Sequence, residues 1–401
     1  MISVSEAIQV VRDQTPTLPI ESVSIDRVLG RILAEDIVAD SDLPPFDRSQ
    51  MDGYALRSED VKEVPVRLKI AGESAAGKGW HQELLEGQAV RIMTGAPVPG
   101  GADSVQQVEL TTELRDRTVV EILEGVLPGR SIVKRGSEIQ AGQTVLRAGV
   151  PINAAMIATL ASFGYAQVKV GKAPRVAVFA TGSELVDVDE KPGQDQIRES
   201  NNYSISAYAR LVNASVERLP LTGDDTSTLE RRIGAAAESC DMVVTSGGVS
   251  MGVYDFTKTA LSNLGAEFFF EKVALKPGKP TVFARLPNGT LVFGLPGNPV
   301  SVSVTFNLFA RTSLLVMQGA QDPTLKRETA LLAKNVKGAG ERESYLPVQL
   351  LTNDDAELVA FPLKWGGSSD FVGFSHATAL VIVPAGVKVL EGGARVKIVR
   401  I

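Results

Sequence analysis

Several chemistries lack their residues in this 401-residue chain. A single cysteine, Cys240, excludes an intrachain disulfide and a thiolate zinc site, and fits a reducing compartment. Only two histidines occur, His81 and His376, which excludes a His-rich metal site and leaves little room for a Ser-His-Asp triad. Each stands apart from any other Cys or His, so both are read as surface or packing residues. No run of basic residues is present, and Lys+Arg 41 against Asp+Glu 47 gives a net charge of −6, which argues against DNA or RNA as a partner. The start, Met1-Ile-Ser-Val-Ser-Glu, has neither the basic nor the apolar region of a secretory signal. The most apolar helical stretch, Pro299 to Met317, is interrupted by Asn307 and Arg311, so no membrane span is expected. The expectation is a soluble, cytoplasmic protein whose chemistry rests on carboxylates, lysines, hydroxyls, backbone amides and hard metal ions.

What is present suits a folded, multidomain chain. Hydrophobic residues make up 44% and charged residues 22%, enough to bury a core. The length allows roughly two to four domains of ~100–200 residues. Apolar residues Ile8 and Val11, then Val28, Leu29, Ile32 and Leu33, recur at helical spacing, with Asp26 as an N-cap candidate, so residues 1–45 are read as helical as far as about Asp40. From about Leu43 to Val145, short β-like runs such as Val66 to Ile70 and Thr118 to Ile122 are separated by Gly and Pro. Residues 151–164 return to helix, and Gly171-Lys-Ala-Pro174 reads as a linker.

The clearest pattern follows. Strands at 175–180, 215–219, 241–245, 266–273, 280–285 and 290–294 alternate with helices near 201–213, 226–239, 255–264 and 299–317, which predicts βαβ units with a parallel-sheet core. From about Leu325 onward, short strands such as Ala379 to Val383 and Arg395 to Val399 predict a small terminal β-barrel or sandwich.

One phosphate motif fails. Gly72-Glu-Ser-Ala-Ala-Gly77-Lys78 spells the first seven positions of a Walker A loop, but Gly79 occupies the position that needs a hydroxyl, and the surroundings are β-rich. It is read as a surface loop. More weight falls on the carboxyl ends of the parallel strands, where open α/β sheets bind ligands. There the chain carries Thr181-Gly-Ser-Glu184, Thr222-Gly-Asp224-Asp225, and Ser246-Gly-Gly-Val-Ser-Met-Gly252 followed by Asp255. A glycine loop leading into a helix suits a phosphate, and carboxylates beside a phosphate call for a divalent cation between them, hence Mg²⁺. Each acid also has a simpler account: Asp224 or Asp225 as the cap of the helix from Thr226, Asp255 as a partner of the next helix dipole, Glu184 as a loop acid. Lys272, Lys276 and Lys279 cluster around a Pro-Gly-Lys-Pro turn and suit an oxyanion. Gly294-Leu-Pro-Gly-Asn298-Pro-Val-Ser301 forms a sharp strand-to-helix turn with Pro299 in the first helical turn.

These segments, together with Pro45-Phe-Asp-Arg-Ser-Gln-Met-Asp-Gly-Tyr-Ala55 and Arg91-Ile-Met-Thr-Gly-Ala-Pro-Val-Pro99, resemble the MoeA family of molybdopterin molybdenumtransferases, which includes the E domain of gephyrin. The resemblance runs in order over nearly the whole chain. It implies a multidomain α/β plus β protein: an extended helical linker domain (1–45 and 142–172), a β-rich insertion domain (46–141), a MogA/MoaB-like molybdopterin-binding α/β domain (173–325) and a C-terminal β-barrel (326–401). It implies insertion of molybdate into adenylylated molybdopterin, with Mg²⁺-dependent hydrolysis and release of AMP. It also implies a homodimer with shared active sites, and transient contact with a MogA-type adenylyltransferase and with acceptor molybdoenzymes.

Carried over by position, the resemblance assigns Asp52, Glu184, Asp224 and Asp255 as catalytic acids, with Glu184 and Asp255 toward Mg²⁺. It assigns Thr94, Thr181, Ser246, Gly247, Gly248, Ser250, Lys272, Pro296 and Asn298 to the substrate, and Lys276, Lys279, Ser301, Arg342 and Ser368 to molybdate. The chain departs from the family at Glu138, where an aspartate is usual, at Pro347-Val348, where Arg-Gly is usual, and at Thr378, where an asparagine is common. Two other readings compete: a molybdopterin adenylyltransferase, and a non-catalytic dimeric scaffold.

Overall fold

The computed structural model describes residues 1–114, 117–223, 225–248, 256–364 and 366–401. These divide into two compact units, Asp36–Arg147 with Ala158–Ala166, and the remainder.

The smaller unit is built on a six-stranded sheet in the order Ser104–Gln107, Gly53–Leu56, Gln88–Ile92, Val66–Ser74, Val119–Ile122, Thr111–Glu113. Tyr54, Leu56, Leu68, Val120 and Ile122 are buried against it. The Walker-like segment dissolves into this sheet: Gly72 to Ser74 end the strand Val66–Ser74, and Ala75 and Lys78 close a turn by exchanging both backbone hydrogen bonds at 3.0 Å. No helix follows to receive a phosphate.

The larger unit holds a six-stranded sheet of β1 (Arg175–Ala180), β2 (Ser215–Arg218), β3 (Met242–Ser246), β4 (Glu267–Phe270), β5 (Val282–Arg285) and β6 (Leu291–Leu295). Its order is β2-β1-β3-β6-β5-β4. The pairs β1–β2, β1–β3 and β3–β6 are parallel, as alternating strands and helices predict. The pairs β5–β6 and β4–β5 are antiparallel, so the parallel core carries an antiparallel edge. The turn between β5 and β6 is too short for a crossover: Gly289 N–H donates to the Leu286 carbonyl at 2.9 Å. Both faces are covered. Val176 and Val178 pack with Ile205 and Ala209 on one side, while Ala177 and Phe179 pack with Leu229 and Ile233 on the other, so the strands read as continuous apolar runs.

Pro299 opens a long helical run, with Asn298 at its N-cap and a π-helical turn at Phe306–Ala310 before Arg311–Met317. By length and composition this run would cross a membrane, yet 89% of its apolar window is buried inside the protein, so it is the core helix of this unit. The C-terminal strands close into a five-stranded barrel in the order Glu343–Thr352, Leu358–Pro362, Arg327–Leu332, Arg395–Arg400, Ala379–Val383, the last pairing back to the first. Leu275–Lys276 joins its edge in parallel with Glu343 and Ser344.

The N-terminal region departs from expectation. The helix Val4–Gln14 forms, closed by a Ser3–Glu6 capping box, but the second helix expected up to Asp40 does not. Ile20–Ser24 is instead a strand paired with Gln167–Gly171. Ile32 and Leu33 then form isolated bridges to Pro151 and Val170, so their apolar side chains are buried by pairing with a distant segment instead of by a helix face.

Candidate active site

The carboxyl ends of β1, β3 and β6 face one cleft of about 910 Å³, lined by Thr181, Gly182, Glu184, Glu199, Asn201, Ser246, Gly247, Gly248, Phe256, Pro296, Asn298 and Phe371 among others. The loops are tightly tied. Thr181 N–H donates to the Ser246 carbonyl at 2.9 Å, Gly247 N–H to the Leu295 carbonyl at 3.1 Å, and Asn201 Nδ2 to the Gly297 carbonyl at 2.8 Å. Gly247 has φ +89° and Gly248 φ +65°, and a Cβ on Gly247 would lie 2.2 Å from the Thr181 carbonyl oxygen. Here glycine is required on both counts. The Glu184 carboxylate folds back onto its own loop after β1, its Oε2 lying 2.6 Å from where a Cβ on Gly182 would stand. Ser246 Oγ, Thr222 Oγ1 and Asn201 Oδ1 are buried with no hydrogen-bond partner among the described residues. Such unmatched polar atoms, gathered at the strand ends, mark a place built for something polar.

A second cleft of about 710 Å³ adjoins the first and shares Pro280, Pro296 and Asn298 with it. Lys276, Lys279, Ser301, Arg342 and Ser368 all line it, so the five residues assigned to an oxyanion come together around one space. Their supports are local and long-range at once. Leu275–Lys276 is held in the barrel edge, Arg342 Nη1 donates to the Leu275 carbonyl at 3.5 Å, and Gly278, at φ +115°, packs where a Cβ would meet Thr305 Cγ2 at 2.4 Å. Pro347, one of the departures from the family pattern, stands in this wall, while Thr378 lies outside it and accepts a 2.8 Å hydrogen bond from Leu350 N–H.

The remaining residues fall differently. Lys272 is exposed and lines neither cleft. Asp224, Ser250 and Asp255 lie outside the described residues. Asp225 is the helix cap, accepting from Thr228 N–H at 2.9 Å. Glu138 forms an exposed ion pair with Arg48 at 2.8 Å. Asp52 and Thr94 belong to the smaller unit, where the antiparallel register Gly53 opposite Ile92 brings them to one strand end. Thr94 donates from both N–H and Oγ1 to one Asp52 oxygen, at 2.7 and 2.9 Å, and these bonds hold the Asp52 carboxyl below its ordinary pKa.

Two acids escaped the sequence reading. Asp370 accepts from Gly366 N–H at 2.7 Å and Gly373 N–H at 2.9 Å, bracing the loop that carries Ser368 and Phe371. These two backbone donors also lower its pKa. Its sequence signal, an acid capping the short helix Phe371–Phe374, is common to many loops. Glu199, only 4% exposed, accepts from Asn202 N–H at 2.6 Å. Burial raises its pKa above the ordinary 4.5, against the pull of the Asn202 and Asn201 amides. Between its unfolded and folded pKa values the native state holds more protons, so ionising Glu199 makes the fold less stable as pH rises through that window. Denaturant unfolding from about pH 4 to pH 8 is expected to show this decline in the wild type and a flatter profile in Glu199→Gln; identical profiles would remove the assignment.

Three descriptions match the chain: MoeA N-terminal region (domain I and II) over residues 2–164, a probable molybdopterin binding domain over 177–316, and MoeA C-terminal region (domain IV) over 329–401. A molybdopterin molybdenumtransferase of Staphylococcus aureus (strain MRSA252) is 36% identical over 99% of this chain and 95% of its own length. The chain belongs to the MoeA family. One of Staphylococcus epidermidis is 33% identical over the same shares. Among solved structures, a molybdopterin biosynthesis MoeA protein from Pyrococcus horikosii is similar to it at a TM-score of 0.83 and 32% identity, covering 100% of this chain and 99% of that one. A second, from Pyrococcus horikoshii OT3, gives 0.86 and 28% over the full length of both. For a MoeA chain, both clefts take their walls from the segment matched by the probable molybdopterin binding domain and from the C-terminal region, which gives Ser369 and Phe371 to the glycine-loop cleft.

Proposed function

We infer that this chain is a molybdopterin molybdenumtransferase: it hydrolyses the phosphoanhydride of adenylylated molybdopterin, releases AMP and leaves molybdenum on the dithiolene. One observation carries this reading. A glycine-loop cleft suited to a phosphate adjoins a lysine cleft suited to a tetrahedral oxyanion, the two sharing Pro280, Pro296 and Asn298 in their walls. The substrate brings both sulfur ligands, so one cysteine in the protein is no obstacle.

The chain's own residues divide the work. Gly247 and Gly248 let the backbone approach a phosphate without a side chain in the way. Lys276, Lys279 and Arg342 neutralise molybdate and hold it beside that phosphate, while Ser301 and Ser368 add polar contacts. Bringing two anions together is the main electrostatic cost of the reaction, and fixed cations lower it. A resident Mg²⁺ fits the donor set in part: Glu184 supplies a hard carboxylate beside the glycine loop, with Asp255 as the second acid in this reading, and no cluster of three or more His, Cys, Asp or Glu forms among the described residues. When bound there, Mg²⁺ would neutralise phosphate charge.

The same reading includes the four-domain division given above, a homodimer, a cytoplasmic setting, contact with a MogA-type adenylyltransferase and delivery to acceptor molybdoenzymes. AMP release from adenylylated molybdopterin, measured with and without molybdate, in Mg²⁺ and in EDTA, tests it. Release that requires molybdate and is lost in EDTA is the expected result. Consumption of ATP and molybdopterin without molybdate would replace it by an adenylyltransferase, and tight binding without release by a scaffold.

A further inference from the structure

A phenyl ring stands in the wall of the glycine-loop cleft with no packing role to explain it. Phe371 is 53% exposed, although burying such a ring is worth roughly 1.5–3 kcal/mol. It is not a loose ring on a loose loop. Asp370 clamps the turn through Gly366 and Gly373, Phe374 anchors its far side in the core, and Val300 N–H donates to the Ser368 carbonyl at 3.1 Å, tying the loop to the start of the core helix. The fold therefore fixes an apolar plane at the cleft surface. Phe256, Pro280, Pro296 and Pro299 add further apolar faces to the same cleft.

We propose that Phe371 is the stacking platform for the planar nitrogen heterocycle of a phosphate-bearing substrate, and so a specificity-determining residue of this site. The proposal rests on the transferase reading for the ligand class. Within that class two rings qualify, the adenine and the pterin, and both present the flat π-face that a phenyl ring accepts.

The test is a set of binding titrations on the full chain with AMP, a pterin monophosphate and ribose 5-phosphate, the last having the phosphate without a ring. Wild type is expected to bind a ring-bearing ligand more tightly than ribose 5-phosphate. Phe371→Ala should weaken the ring-bearing ligand by about tenfold, the scale of base–aromatic stacking, and leave ribose 5-phosphate unchanged. Phe371→Tyr should restore the difference. Val372→Ala, on the adjacent residue at 63% exposure and outside the cleft wall, should change nothing. Selective loss for AMP places the adenine on Phe371, and selective loss for the pterin places the pterin there. Equal loss for all three ligands, or none, overturns the proposal. Wild-type AMP release decides the transferase reading separately, since a chain with no such activity can still show the ring preference, and an active chain can lack it.

Discussion

Replacing Lys276 and Lys279 together by Ala is expected to lower molybdate-dependent AMP release by about a thousandfold, the product of two charge-assisted contacts worth roughly 1.5–3 kcal/mol each. Both line the oxyanion cleft, and the backbone that carries them is set independently of their ammonium groups: Leu275–Lys276 by pairing with the barrel edge, Lys279 by the hydrogen bond its carbonyl accepts from Val273 N–H at 3.0 Å. Removing the charges should therefore leave the fold intact. The loss should appear as a rise in the molybdate concentration needed for half-maximal release, with AMP binding unchanged. Raising the salt concentration should mimic a part of it in the wild type, because exposed cations are screened. An unchanged molybdate requirement in the double variant would remove the lysines from molybdate binding and leave them as solvated surface. Lys272→Ala serves as the control, since its side chain lies outside both clefts and the same assay should not register its loss.

That contrast between Lys272 and its neighbours shows what the amino-acid sequence could and could not reveal. Three lysines spaced within eight residues look alike in sequence; the pairing of Leu275–Lys276 with Glu343 and Ser344, far along the chain, is what sets Lys276 at the barrel edge beside the cleft it lines. The strand-end loops were legible because the parallel-sheet rule needs only strand positions, and those follow from buried apolar runs. Hence Thr181, Glu184, Ser246 and Gly247 were read as one site, and the structure brings them around one cleft. The N-terminal segment misled for the opposite reason. Its apolar spacing satisfies a helix, but Ile20–Ser24 finds its hydrogen-bond partner at Gln167–Gly171, and local periodicity holds no record of a partner so distant. Asp370 and Phe371 were missed because a capping acid and an exposed phenyl ring gain meaning only once Val300 and the glycine loop stand beside them.

Gly247→Ala makes the second large prediction, and it acts on fold and chemistry together. At φ +89° a side chain strains the backbone by roughly 1–2 kcal/mol. The new Cβ would also lie 2.2 Å from the Thr181 carbonyl oxygen, an atom fixed at the end of β1. That atom is backbone and cannot swing away as a side chain can. The loop must therefore shift relative to β1. Displacement therefore falls on the segment meant to cradle phosphate. We expect a thermal midpoint lower by about 4–8 °C, at roughly 2–4 °C per kcal/mol for a unit of this size, and AMP release slower by about a hundredfold, the cost of misplacing a positioned group by about 1 Å. Gly77→Ala offers the comparison. Gly77 has nearly the same backbone strain, φ +75°, but nothing within 4 Å of its Cβ position and a place in the failed Walker segment. It should lose stability by the backbone strain alone and keep its activity. Equal activity loss at both positions would mean that the strain, and not the approach of the loop to Thr181, governs the site.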